Sequence, residues 1–214
     1  MKLNDDKTKY MVINYCSSMQ YNTRLYLESS LLEQVTQTKL LGVIISDDLT
    51  WHANSASIVS KALKRMLMLR KLCEFKVSSQ DLLHIYTLYI RSVLEQSCVV
   101  WASSITQQEI LNIERVQKIT LRIILKDNYI SYENALSTTK LATLSQRRQK
   151  LMLNFALKCV KNSKTTNMFP KNEKKTTRSK EIFKIPYANT ERFKKSAIPA
   201  MSRLLNVHAA ETQT

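Results

Sequence analysis

The chain has 214 residues, 44% of them hydrophobic, with a single Gly and three Pro. That is enough apolar side chain for one core, and too little glycine for phosphate-cradling loops, a collagen-like repeat or a turn-dense all-β design. The net charge is +16 and its distribution is uneven: residues 1–107 carry 12 Lys and Arg against 9 Asp and Glu, residues 108–214 carry 21 against 8. A field of this kind selects a polyanion, nucleic acid first and an anionic membrane surface second, with a merely solubilising basic surface as the plain alternative. Cys16, Cys73, Cys98 and Cys159 form no C-x-x-C pair, which argues against a zinc site and for free thiols in a reducing compartment. No apolar run approaches the roughly 20 residues that span a bilayer, and the polar start MKLNDDKTK is no signal peptide. The expected location is therefore intracellular, in nucleus or cytoplasm, away from membranes.

In chain order, the segments 9–14 (KYMVIN), 24–27 (RLYL), 31–36 (LLEQVT) and 39–45 (KLLGVII) are short and apolar or alternating. They read as strands of a small antiparallel sheet. From Trp51 the period changes: Ile58, Val59, Ala62, Leu63, Met66, Leu67, Leu69 and Leu72 recur at helical spacing to about Phe75, with Thr50 or Asn54 as the cap. Ser78 or Ser79 opens a second helix with Asp81 in its first turn. A third helix covers 106–126, a short one 131–137 and a longer one 143–162, so a bundle is expected. Beyond Asn162 the chain turns polar and basic, too poor in branched apolar residues to offset its ordering entropy. A patch at 194–206 has helical spacing interrupted by Pro199. The expected fold is α+β: a small antiparallel sheet of short strands over 1–49, a predominantly helical bundle over 50–162, and a basic, partly disordered C-terminal tail over 163–214.

Six segments in this order carry a resemblance. LNDDKTKYMVIN (3–14), KLLGVIISDDLTW (39–51), LYIRSVLEQSCVVW (88–101), IERVQKITLRIIL (113–125), LATLSQRRQKL (141–151) and FKIPYANTERFKKSAIPAMSRLLN (183–206) resemble the end of the palm, the thumb and the downstream region of a non-LTR, LINE-type (jockey-like) retrotransposon reverse transcriptase. The chain departs from that pattern in having Asn54 where a His is usual, and Gln96-Ser97 where Tyr-Gly is common. The aromatic-x-Asp-Asp hairpin of the palm is not among these residues. On the resemblance this is therefore the end of an RNA-directed DNA polymerase and no enzyme by itself. Its expected partners are an RNA/DNA hybrid and the fingers and palm that lie upstream in such enzymes; Mg2+ belongs to the intact polymerase and no cofactor to this chain. The rival readings are a host-retained helical module that binds nucleic acid or protein, and a remnant without selected function.

The resemblance implies roles for particular residues. Lys7 matches the palm lysine that assists pyrophosphate departure, and Leu40, Leu41 and Gly42 match the grip on the primer end. Gly42, the only glycine, otherwise reads as a bulge or a close backbone approach. Asp47-Asp48 is not read as a metal pair, because two-metal chemistry needs carboxylates converging from separate strands; turn and capping roles fit better. Two basic stripes, Lys61, Lys64, Arg65 and Lys71 on the first helix and Arg115, Lys118, Arg122 and Lys126 on the third, suit phosphates without reading bases. Solvated helix faces are the alternative for both. Trp51, Trp101, Tyr86 and Tyr89 are expected in the core rather than as stacking platforms.

Overall fold

The computed structural model describes residues 8–14, 24–27, 30–172 and 181–212. The chain divides into two compact units, Met1–Ser57 and Ile58–Thr214. The division falls inside the first helix rather than at 49/50, where the change of hydrophobic period placed it.

In the first unit the strands are short: β1 (Lys9–Tyr10), β2 (Tyr26–Leu27), β3 (Ser30–Leu31), β4 (Glu33–Gln34), β5 (Gln37–Leu40) and β6 (Val43–Ser46). They form three two-stranded ladders: β2 with β3 and β5 with β6 antiparallel, β1 with β4 parallel. The run 39–45, read above as one strand, is the closed end of the β5–β6 hairpin. Leu40 pairs with Val43 across a two-residue turn in which Leu41 has φ 49° and Gly42 φ 89°. Gly42 is thus neither bulge nor strand residue; it occupies a turn position that requires positive φ. β6 is buried at its two ends, Val43 and Ser46, which point to opposite faces of the strand. Asn54 lies within helix α1 (His52–Glu74) and is not its cap. Its buried side-chain carbonyl accepts the Ile44 N–H at 3.1 Å, tying the first turn of the helix to the hairpin.

The second unit is helical. α1 buries Ile58, Ala62, Met66, Leu69 and Cys73, the i, i+4, i+8, i+11 and i+15 positions of one face. Its end is a 6→1 reversal, the Val77 N–H donating to the Leu72 carbonyl, with Lys76 at φ 57°. Ser78 caps α2 (Ser79–Ile85) by accepting the Asp81 N–H. The helix continues through a π turn at Tyr86–Ile90 into α3 (Arg91–Leu94), and Ser97, at φ 51°, precedes α4 (Cys98–Trp101). α5 (Gln107–Leu125) and α7 (Leu144–Lys161) both start on capping boxes, Thr106 with Glu109 and Thr143 with Gln146. Between them lies α6 (Tyr132–Thr139), capped by Ser131.

Residues 163–214, expected as a tail, supply part of this unit's core. α8 (Glu191–Lys194) and α9 (Ala197–Glu211) follow the basic stretch, and α9 packs on α7. Phe169, Phe183, Met201 and Leu205 are buried against Met152, Ala156 and Cys159 of α7. An antiparallel bridge joins Lys171 to Phe183, and the Asn206 amide clamps the Phe183 backbone by accepting its N–H at 2.8 Å and donating to its carbonyl at 2.9 Å. Pro199 does not interrupt α9; it stands in the first turn, where its missing N–H has no partner to lose. Composition understated this region because four large apolar residues, spread over some forty positions, suffice when a helix face is already waiting for them.

Candidate nucleic-acid interface

The two basic stripes fare differently. On α1, Lys64 and Lys71 are exposed, Lys61 is half-buried, and Arg65 is engaged within the unit. Its guanidinium lies 4.4 Å from the centroid of the Tyr89 ring and donates to the Tyr89 carbonyl. The same outward face carries Leu63, Leu67 and Met68, all exposed, so it is a mixed surface rather than a cationic one.

On α5, Arg115, Lys118 and Arg122 stand on one exposed stripe that begins with Leu111, opposite the buried Ile113, Val116, Leu121 and Ile124. None of the ion pairs between described residues involves these three cations. Lys126 does not continue the stripe: α5 ends at Leu125, Lys126 turns to φ 49°, and its Nζ reaches the Cys73 carbonyl at 3.5 Å. An ammonium there offsets the partial negative charge of the α1 C-terminus.

Sequence reasoning missed the aromatic residues beneath this stripe. Lys118 Nζ lies 4.9 Å from the Tyr132 ring centroid and the Arg122 guanidinium 5.2 Å from that of Tyr129. Tyr129 comes from the connection between α5 and α6 and Tyr132 is the first residue of α6, and no periodicity within one element links residue 118 to residue 132. Tyr132 is fixed from below. Its hydroxyl donates to Glu114 and accepts from Gln117 Nε2 at 2.8 Å, while Gln117 also accepts the buried Tyr86 hydroxyl and donates to the Ala142 carbonyl. Burial and the Glu114 carboxylate push the Tyr132 phenol well above its usual pKa, so it remains a donor throughout the physiological range. Further along, α7 brings Arg147 onto Glu95, with Nη2 to Oε2 at 2.9 Å, and Arg91 stands 3.8 Å from the same carboxylate. This pairing raises the Arg147 pKa, whereas burial lowers that of Arg148. These arginines serve the interior, not the surface.

Of the remaining residues singled out by sequence, the hairpin and Asp47-Asp48 lie in the first unit. Leu40 and Leu41 are exposed, Leu41 at 90%, on the hairpin turn with Gly42. Asp48 accepts the Thr50 N–H at 2.9 Å and its hydroxyl at 3.0 Å, the short side-chain turn expected of it. Lys7 lies outside the described residues. Among the expected core aromatics, Trp101 and Tyr86 are fully buried and Trp51 half-buried, while Tyr89 is exposed beneath Arg65. No group of three or more His, Cys, Asp or Glu that could hold a metal ion occurs among the described residues, and no helix of theirs is long and apolar enough to cross a membrane. Comparison with family models, with curated proteins and with solved structures finds no match to the chain.

Proposed function

We propose that this chain is the palm-end and thumb portion of a non-LTR retrotransposon reverse transcriptase, and that it binds an RNA/DNA hybrid through its phosphates without carrying out polymerisation itself. The observation that carries the binding half of this reading is the α5 stripe, where Arg115, Lys118 and Arg122 are exposed and, among the described residues, in no ion pair with a carboxylate. From residue 115 to 133 the chain carries Arg115, Lys118, Arg122 and Lys126 against Asp127 and Glu133, so the local field remains positive. Two local features support the family half. Ser97 stands where the resemblance calls for glycine and has left-handed φ, the conformation that glycine adopts freely. Leu40, Leu41 and Gly42 stand on an exposed hairpin turn, a shape suited to close approach by a primer backbone.

Each phosphate contact that releases a counterion contributes about −0.9 to the slope of log affinity on log salt. Three contacts from α5 therefore give a slope of about −3, and changing Lys118 and Arg122 together to Ala flattens it by about 2, with little dependence on base sequence. Fluorescence anisotropy of a labelled RNA/DNA hybrid at several salt concentrations reads both values. An unchanged slope in the double variant removes α5 from the interface, and no binding at low salt removes nucleic acid from the reading.

A further inference from the structure

We infer that the α5 stripe ends in a stacking site for one unpaired nucleotide, formed by Arg122, Tyr129 and Ile130, so that it holds the junction of a hybrid with a single-stranded extension better than blunt duplex. The inference rests on the nucleic-acid reading above and deepens it.

The observations concern the second half of α5, the short connection to α6 and the first turn of that helix. The Tyr129 N–H donates to the Lys126 carbonyl at 3.0 Å, closing a turn of 3-10 helix over Lys126–Asn128. Ser131, two residues on, accepts the Asn134 N–H at 3.1 Å and starts α6. Three residues are thus held at both ends, and the structure gives them an unusual use. Tyr129 lies beneath the Arg122 guanidinium, Tyr132 beneath Lys118, and Ile130, between the two tyrosines in sequence, is 80% exposed. Ile130 follows Tyr129 directly, so the ring under Arg122 is joined in the chain to an apolar side chain that stands in water.

The chemistry that uses such a group is a flat π-face bearing a phosphate. A guanidinium supported by an aromatic ring on one side and exposed on the other offers a planar cation on which a base stacks. An exposed apolar side chain alongside shields the base edge, and Lys118 and Arg115 continue the line for the adjoining phosphates. Bases within a duplex already stack on each other and gain nothing from this surface, whereas an unpaired base gains. An acidic protein segment would satisfy the cations but leave the ring-backed guanidinium and Ile130 without purpose.

The test compares three labelled ligands with the full chain at one salt concentration: blunt RNA/DNA hybrid, the same hybrid with a short single-stranded extension, and that hybrid with an abasic extension of equal length. The last two have the same phosphates, so their affinity ratio isolates the base. Stacking of the kind proposed gives a ratio of about fivefold or more for the wild type. In Tyr129→Leu the ratio falls to about one. Ile130→Ser, at a position too exposed to affect folding, lowers it by about twofold. Equal affinity for base-bearing and abasic extensions overturns the stacking site while leaving phosphate binding intact. A high ratio that neither variant lowers also overturns it, since the base contact then lies elsewhere. Failure to bind any of the three ligands at low salt defeats this inference together with the reading on which it rests.

Discussion

Leu41 carries the clearest conflict between local preference and observed conformation. A two-residue hairpin turn with both residues at positive φ favours Asn-Gly, because a branched apolar side chain is crowded against its own backbone there and has nothing to bury against. Here Leu41 is 90% exposed at φ 49°. Leu41→Asn is expected to stabilise the hairpin by about 0.5–1 kcal/mol, visible as a higher denaturation midpoint with an unchanged slope. If the Leu40–Gly42 tip touches the primer end, the same change lowers hybrid affinity, a trade of stability against function; binding that rises or stays level disposes of the grip.

Cys98 shows how burial, more than any charge, sets chemical behaviour at a single residue. It is 3% exposed, and burial, reinforced by the Glu95 carboxylate, raises its pKa from 9.0 to about 11. The thiol is favoured over the thiolate in the fold, so the stability it contributes is fully present below pH 9 and is lost as pH rises through 11. Thermal melts from pH 8 to 11 are expected to fall more steeply for wild type than for Cys98→Ala. The comparison with the variant matters because the buried Tyr86 and half-buried Tyr132 phenols, raised in the same direction from an ordinary value of 10.0, add to the loss from about pH 10 upward. Parallel curves for the two proteins refute the assignment to Cys98.

At the scale of elements, a chain with one glycine must end its helices with other residues. Lys76 after α1, Lys126 after α5 and Lys140 after α6 all have positive φ, as does Ser97 before α4. Lysine is tolerable at a helix C-terminus because its charge offsets some of the backbone cost. Ser97 has no such compensation, and no hydrogen bond of its hydroxyl accompanies the turn. Ser97→Gly is therefore expected to stabilise the protein by about 0.5–1 kcal/mol, measured by urea denaturation, and Ser97→Val to destabilise it by more. A neutral or destabilising glycine would mean that the side chain has a role which its surroundings conceal. The π turn at Tyr86–Ile90 belongs to this scale too: it leaves Tyr86 and Ile90 buried and Leu88 and Tyr89 exposed, and so supplies the ring on which Arg65 rests.

For the whole molecule, the decisive matter is where the helical unit ends. The composition of residues 163–214 leads to the expectation that they are dispensable for folding, and the packing of Phe169, Phe183, Met201 and Leu205 leads to the opposite one. At roughly 1.5–3 kcal/mol for each large apolar side chain buried, these four contribute on the order of 6–12 kcal/mol, comparable with the net stability of a domain. A chain ending at Ser163 is expected to lose its cooperative melt and to expose the α7 face as an aggregating surface. If it melts as sharply as the full chain, α9 is an accessory and the core lies entirely upstream.

The helices and the Ser78 cap were legible in the sequence because each depends on neighbours within one or two turns, whereas 39–45 was read as one strand and proved to be the turn of a hairpin. Alternation marks a strand, a 3.6-residue period a helix, and Ser78 with Asp81 a helix start; the capping boxes of Thr106 with Glu109 and Thr143 with Gln146 came to light only in the structure. The net charge and its bias toward the second half were likewise plain from counting, as was the excess of cations on α5. What the tertiary structure alone decided involves residues distant along the chain. It removed Lys126 from the stripe by ending α5 one residue earlier, tied Arg65 to Tyr89 across 24 positions, and set Tyr129 and Tyr132 under Arg122 and Lys118. It also recruited Phe183 and α9 into the core from a stretch that composition marks as solvated, since burial depends on which faces meet and not on how apolar a segment is by itself.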